Sequence, residues 1–148
     1  MDDKAVVSKK AADLLARRPH FRKELEVKLL RRGYSEEVVK EVLDDFKGRG
    51  YLNDGGSALL YMEELKRKKY GKYEAERKLV SKGLDKATAS RAASTFFLEN
   101  DEIANIKYLL DKKKFNLKDL GQQKKAFDFL LRRGFNSDLV RRVIKLED

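Results

Sequence analysis

The sequence predicts an all-α fold made of three tandem three-helix repeats, and three observations carry this. A helix–glycine–helix pattern occurs three times: ELEVKLLRRGYSEEVVKEVLDDF at Glu24–Phe46, EAERKLVSKGLDKATASRAASTF at Glu74–Phe96, and KAFDFLLRRGFNSDLVRRVIKLE from Lys125. The turn glycines, Gly33, Gly83 and Gly134, recur at intervals of 50 and 51 residues, the mark of a repeated supersecondary unit. The 148 residues hold one proline and nine glycines and no alternating β-branched run, so no strand is expected.

The copies agree in physics more than in letters. Leu29, Leu79 and Leu130 stand four residues before each glycine, and an apolar residue (Tyr34, Leu84, Phe135) follows it. Next come Ser35, Asp85 and Asn136, all residue types that accept hydrogen bonds from a first helical turn. The glycine suits the left-handed position that closes the preceding helix. Each copy therefore reads as helix, glycine stop, short bend, helix.

Taken in order, the first helix is expected over Lys4–Arg17, burying Val7, Ala11, Leu14 and Leu15 at helical spacing. Pro19 either stops it or opens the second helix at its first position. That second helix, about Phe21–Arg32, turns Leu25 and Leu29 inward, and the third, Glu36 to about Lys47, buries Val38, Val42 and Phe46. Glu36 and Glu37 suit the positive end of the third helix. The turn-rich stretch GRGYLNDGG, Gly48–Gly56, is the expected joint to the second repeat. A fourth helix, about Ser57–Lys69, carries Ala58, Tyr61, Met62 and Leu65 on one face and is broken by Gly71. The fifth (Lys72–Ser81) and sixth (Lys86–Leu98) helices are rich in alanine (Ala75, Ala87, Ala89, Ala92, Ala93), which predicts close packing in the middle repeat. A seventh helix, Glu102–Lys113, turns Ile103, Ile106, Leu109 and Leu110 inward. After a loop over Phe115–Leu120, in which Asp119 and Gln122 have the spacing of a capping box, the eighth helix runs to Arg132 and the ninth from Ser137 to about Leu146. The repeats divide as residues 1–53, 54–101 and 102–148. In each, the leading helix covers the face that a helical hairpin alone leaves wet.

Composition narrows the function. The formal net charge is +10, and residues 102–148, with 12 basic and 7 acidic side chains, are the most cationic third. Such a surplus favours a polyanionic partner, nucleic acid or a protein assembled on it. The alternative is a solvated helical surface. The absence of cysteine excludes disulfides, thiolate zinc sites and cysteine nucleophiles and fits a reducing compartment. No apolar run approaches the ~18 residues of a membrane helix, and the first ten residues, MDDKAVVSKK, lack a signal-peptide core. A cytoplasmic protein is expected, and a monomer, since no heptad seam is present.

The motifs ADLLARR at Ala12–Arg18, Glu24-Leu25, KLLRRGY at Lys28–Tyr34, GYLND at Gly50–Asp54 and FLLRRGF at Phe129–Phe135, in this order, resemble the RecX family, bacterial regulators that restrain the RecA recombinase. The resemblance covers nearly the whole chain. Three positions depart from the family pattern: Phe21 where a serine is common, Ser57 where a large aromatic precedes the alanine, and Gly71-Lys72 where Gly-Pro is usual. The resemblance implies an elongated, curved stack of the three repeats. It also implies binding to the groove or the end of a RecA filament on single-stranded DNA. Filament growth would be blocked or disassembly promoted, and RecA's ATPase, strand exchange and coprotease activities would fall. No cofactor or small-molecule substrate is implied.

No catalytic constellation is present, and an enzyme is not expected. His20 is the only histidine and reads as a surface residue at a helix start. Gly55-Gly56 lacks the Lys-Ser/Thr of a phosphate loop. Asp44-Asp45 and Glu63-Glu64 are adjacent on helices and point apart, and Asp54 reads as an N-cap for the fourth helix. The candidate binding residues are cations at equivalent places. Arg31-Arg32 and Arg132-Arg133 precede turn glycines. Arg17-Arg18, Lys66-Arg67-Lys68-Lys69 and Lys112-Lys113-Lys114 end the three leading helices, and Arg141 and Arg142 add charge to the last repeat. Two readings apply: cations in a last turn complement the helix dipole, or they meet acidic RecA surface or DNA phosphates, the latter without sequence specificity. Tyr51, Tyr70 and Tyr73 lie in or near turns, where they either stack on bases or pack.

Overall fold

The computed structural model describes residues 3–147, and these form nine helices and no strand: α1 (Lys4–Arg17), α2 (Arg22–Arg31), α3 (Glu36–Gly48), α4 (Asp54–Arg67), α5 (Lys72–Ser81), α6 (Lys86–Phe96), α7 (Glu99–Lys113), α8 (Leu120–Arg132) and α9 (Ser137–Glu147). The chain is all-helical and repeated, as the threefold pattern requires. It divides into two compact units. One comprises the residues up to Ala58 together with Ser81–Leu84, the other Leu59–Val80 together with the residues from Asp85 onward.

In the first unit, α1, α2 and α3 pack on one another around Val7, Ala11, Leu14, Leu25, Leu29, Val39, Val42, Leu43, Phe46 and Leu52. Val39 and Leu43 are fully buried, whereas Val38 only packs against the edge of this core. The apolar stripe of α3 therefore keeps Val42 and Phe46 as expected and widens to Val39 and Leu43, with Val38 at its margin. In the second unit, α7 and α8 both pack on α9 around Ile106, Leu109, Leu110, Ala126, Leu130, Phe135, Leu139, Val140, Val143 and Ile144. The alanine-rich middle repeat is not the most tightly paired. The extensive helix pairings lie within α1–α3 and among α7–α9, because Ala75, Ala89 and Ala93, though buried, bring little side chain to an interface.

The turns follow their predicted chemistry. Gly33, Gly83 and Gly134 have φ of +89°, +107° and +95°, and Ser35, Asp85 and Asn136 accept from the N–H groups of Val38, Thr88 and Leu139. Other boundaries move. Pro19 stops α1 but does not open α2, which begins three residues later. Helix α4 starts at Asp54 because Asn53 Oδ1 accepts the Gly56 N–H at 3.1 Å, which brings both glycines inside the first turn. Helix α7 starts at Glu99, and its opening turn holds Glu99, Asp101 and Glu102, carboxylates that suit the dipole. Asp119 caps α8 through Gly121 N–H, but Gln122 Oε1 takes the N–H of Asn116 instead of closing a box. Gly71 does not end α4. Lys69, at φ +64°, closes that helix, and Gly71 is small for a different reason given below.

Candidate partner-binding surface

The site is positioned by two contacts that repeat along the chain. In the first, a carboxylate at the start of a later helix caps an earlier one. The Arg22 N–H at the head of α2 donates to Asp54 Oδ1 at 2.8 Å, and the Lys72 N–H at the head of α5 donates to Glu102 Oε1 at 3.0 Å. Asp54 therefore caps α2 rather than α4. This supplies what Phe21 cannot, while Glu24 Oε1 accepts the Phe21 N–H at 3.0 Å. The Gly71-Lys72 departure has a use as well: a proline at 72 would have no N–H for Glu102. In the second contact, a turn glycine lies on the head of an earlier helix. A Cβ on Gly83 would overlap Lys23, and one on Gly134 would overlap Glu74. Gly71 meets the Gly134 backbone directly: Gly71 N–H donates to Arg133 O at 2.8 Å and Tyr73 N–H to Gly134 O at 3.0 Å.

These contacts take up several of the predicted cations. Arg18 forms a two-point bond to Glu24, 2.9 Å at its closer contact, and its own pKa is raised by that bond. Lys66 Nζ reaches Asp101 at 2.7 Å and the Phe96 carbonyl at 3.3 Å, and Lys68 pairs with Glu64. Arg133 donates to the carbonyls of Lys68 and Lys69 at the end of α4 and lies 4.3 Å from the Tyr70 ring centroid. Arg141 pairs with Asp138, and Arg142 with Glu99. Arg17, Arg31, Arg32, Arg67, Lys114 and Arg132 are exposed and make no ion pair among the described residues.

His20 departs most from expectation. It is 3 % exposed, with Nδ1 3.0 Å from the Arg18 carbonyl and Nε2 2.7 Å from Lys28 Nζ. Since an ammonium only donates, Nε2 accepts and Nδ1–H donates, a neutral imidazole. Burial is the main reason its pKa is lowered.

In the second unit the predicted basic clusters of α4 and α7 meet on a tyrosine. Lys69 Nζ lies 5.0 Å and Lys112 Nζ 5.8 Å from the Tyr108 ring centroid, and that ring is 49 % exposed. Tyr70 is similarly flanked, by Arg133 and by Lys78 at 5.2 Å, and Lys113 lies 5.0 Å from the Phe129 ring. Cations held over aromatic rings form a positive surface with a half-open π face. Tyr108 was not among the sequence candidates. Its only signal was a tyrosine four to six residues before a lysine run on the same helix. Glu102, also unforeseen, is 4 % exposed. Burial raises its carboxyl to about 7 against the opposing Lys72 N–H. A cavity of about 280 Å³ adjoins it, with Lys72, Glu99, Asp138 and Arg142 among its lining residues. No group of three or more His, Cys, Asp or Glu able to hold a metal ion occurs among the described residues. None of their helices is long and apolar enough to cross a membrane.

Comparison with known proteins agrees with this architecture. The RecX first three-helix domain matches residues 9–46 and the RecX third three-helix domain residues 100–144. The chain is 33% identical over 141 residues to the regulatory protein RecX of Xanthomonas oryzae pv. oryzae (strain MAFF 311018), covering 93% of this chain and 86% of that one. It is 31% identical over 140 residues to that of Stenotrophomonas maltophilia (strain K279a), covering 93% and 85%. Among solved structures, RecX from Lactobacillus salivarius superposes with a TM-score of 0.86 at 22% identity, covering 97% of this chain and 96% of that one, a likeness of fold. With its three-helix pattern, its turn chemistry and relatives matched over most of their length, the chain belongs to the RecX family of regulatory proteins.

Proposed function

We propose that this protein is a negative regulator of the RecA recombinase. It binds the groove or the end of a RecA filament on single-stranded DNA, blocks extension, and lowers ATPase, strand-exchange and coprotease activity. The observation that carries the reading is the match to regulatory RecX proteins over 93% of the chain. The +10 charge and the lysine–tyrosine surface on α4 and α7 support a filament partner that carries nucleic acid and acidic protein surface. In this reading the contact cations are those left exposed, Arg17, Arg31, Arg32, Arg67, Lys114 and Arg132, together with Lys69, Lys112 and Lys113 on their rings. Arg18, Lys66 and Arg133 act by holding the turns. The protein works as a cytoplasmic monomer of three repeats and performs no chemistry of its own.

A second reading, direct DNA binding, is favoured by the half-exposed Tyr108 ring between two lysines, an arrangement that takes a stacked base and its phosphates. Salt separates the two. Phosphate binding without RecA weakens with a log–log slope of about −0.9 per duplex contact, whereas action through RecA requires RecA. The test is the ATPase rate of RecA on single-stranded DNA with this protein added below one copy per RecA. The regulator reading expects a fall at substoichiometric amounts. A flat rate up to equimolar protein overturns it.

A further inference from the structure

A groove between α8 and α9 has lining residues at helical spacing on both sides. Leu120, Gln123, Lys124 and Phe127 stand at i, i+3, i+4 and i+7 on α8, facing Arg141, Ile144 and Lys145 at i, i+3 and i+4 on α9, around a volume of about 390 Å³. Its floor is apolar and its rim cationic. Leu120 is 78 % exposed, a large apolar side chain at one end with nothing over it.

The first repeat shows what the same place looks like when the chain closes it. With the turn glycines in register, Arg22, Glu26, Lys40 and Asp44 stand where Gln123, Phe127, Arg141 and Lys145 stand in the third repeat. There Asp44 joins the two helices, accepting from Arg22 at 2.7 Å and from Lys40 at 3.3 Å. In the third repeat the joining acid is a lysine and the opposing glutamate a phenylalanine. The crossing ion pair is lost, and an apolar floor with an excess of positive side chains takes its place. The ion pairs that Arg141 and Lys124 make among the described residues are with their own helices, to Asp138 and Asp128.

We propose that the α8–α9 groove is a docking site for an acidic peptide segment that carries an apolar anchor. The anchor lies on the exposed Leu120, with Phe127 and Ile144 flooring the groove beside it, and its carboxylates meet Lys124, Arg141 and Lys145 in the role Asp44 plays within the first repeat. A helical peptide presents its anchors at i, i+3, i+4 and i+7, whereas an extended one alternates them. Nucleic acid fits less well, because the Arg141 guanidinium already lies over the Phe127 ring, 5.1 Å from its centroid, where a base would have to stack.

The test is fluorescence anisotropy of the full chain with a fluorescein-labelled peptide of about twelve residues, alternating aspartate and glutamate around two leucines. Two control peptides replace the leucines by serine or the acids by their amides, and a labelled oligothymidylate is the nucleic-acid probe. Leu120→Ser and Lys145→Glu change only exposed side chains, so folding is unaffected. Each is expected to weaken the acidic peptide by about fivefold, and either control peptide by itself to bind about tenfold more weakly. Three outcomes overturn the proposal. One is binding indifferent to Leu120→Ser or to loss of the leucines, which is charge alone. Another is oligothymidylate that outcompetes the peptide and is itself weakened by Leu120→Ser, which is a nucleic-acid surface. The last is a dimer, seen by sedimentation, that dissociates on Leu120→Ser, which assigns the groove to a second copy. The ATPase assay above is independent of all three.

Discussion

Where Gly83 lies on the head of α2, the surrounding bonds are ionic. Glu24, in the first turn of α2, takes Arg18 at 2.9 Å from the end of α1 and Lys82 at 3.6 Å from the residue before the glycine. Where Gly134 lies on the head of α5, the corresponding glutamate, Glu74, is satisfied by Arg77 and Lys78 of its own helix. The residue before the glycine, Arg133, turns instead to the carbonyls of Lys68 and Lys69, and the two backbones bond directly through Gly71 and Tyr73. One turn motif thus makes two kinds of joint: both seat a glycine where a Cβ would overlap the earlier helix, but one is tied by a charge cluster and the other by direct backbone hydrogen bonds. The first repeat's Gly33 makes neither, with nothing within 4 Å of its absent Cβ.

The largest expected effect comes from placing a methyl group in the backbone joint. Gly134→Ala combines a left-handed φ with overlap onto Glu74, and Gly71→Ala meets the Gly134 backbone. A left-handed alanine costs roughly 1–2 kcal/mol and overpacking roughly 1–3 kcal/mol. Gly134→Ala should therefore lose on the order of 4 kcal/mol, and Gly71→Ala somewhat less. Gly33→Ala carries the backbone cost alone, about 1 kcal/mol. Urea denaturation of the three variants reads the order. A Gly33→Ala loss equal to that of Gly134→Ala would remove the distinction between free and seated glycines.

The two joints also respond to pH in opposite directions. Glu102, beside the backbone joint, has its folded pKa raised by burial to about 7. Its contribution is fully present below the unfolded value near 4.5 and is lost as pH rises through 7. The groups facing it do not reverse this. The Lys72 N–H and the Lys72 charge pull the other way but are outweighed by burial, Arg142 is engaged by Glu99, and Glu99 and Asp138 are the acids that line the adjoining cavity. Glu102→Gln keeps an oxygen for the Lys72 N–H and needs no proton. At pH 8 it should be more stable than the parent by about 2 kcal/mol, reduced from the full linkage value for solvent screening, with the gap closing toward pH 5. Parallel denaturation midpoints for parent and variant across that range would show the idea to be wrong.

Much of this architecture was legible in the sequence because it rests on local rules. The glycine stops, the caps Ser35, Asp85 and Asn136, and the buried Leu29, Leu79 and Leu130 each need only a few neighbouring residues. What was not legible depends on how the chain packs, in several cases between residues 30 or more positions apart. Asp54 reads locally as the cap of the helix it opens, yet its oxygen serves Arg22, 32 positions earlier. Gly71 reads as a breaker, but its smallness answers to Gly134. His20, beside a proline, reads as surface, and only the packing of Arg18 and Lys28 around it makes it core. The basic runs were visible as composition. Their division into cations held by carbonyls and carboxylates and cations on open rings is a tertiary property no spacing reveals.

The smallest predicted effect sharpens the comparison from the other side. Burial alone would raise the carboxyl of Glu24, but the bond from Arg18, the Phe21 N–H and the Lys82 charge outweigh it and hold the pKa at about 2. A depressed folded pKa contributes stability that is present above the unfolded value near 4.5 and is lost as pH falls toward 2. The ionic joint should therefore weaken in acid over the range where the Glu102 joint is at full strength. Because the Arg18 partner is half exposed, the effect is on the order of 1 kcal/mol. Glu24→Gln should lose that amount at pH 7 and 50 mM salt, lose less at 0.5 M salt as the Arg18 and Lys82 attractions are screened, and approach the parent as the pH falls through about 2. The same salt change should leave Gly71→Ala untouched, since backbone overlap is not screened. If Gly71→Ala shared the salt dependence of Glu24→Gln, the two joints would be one electrostatic system, and the division into ionic and backbone contacts would fail.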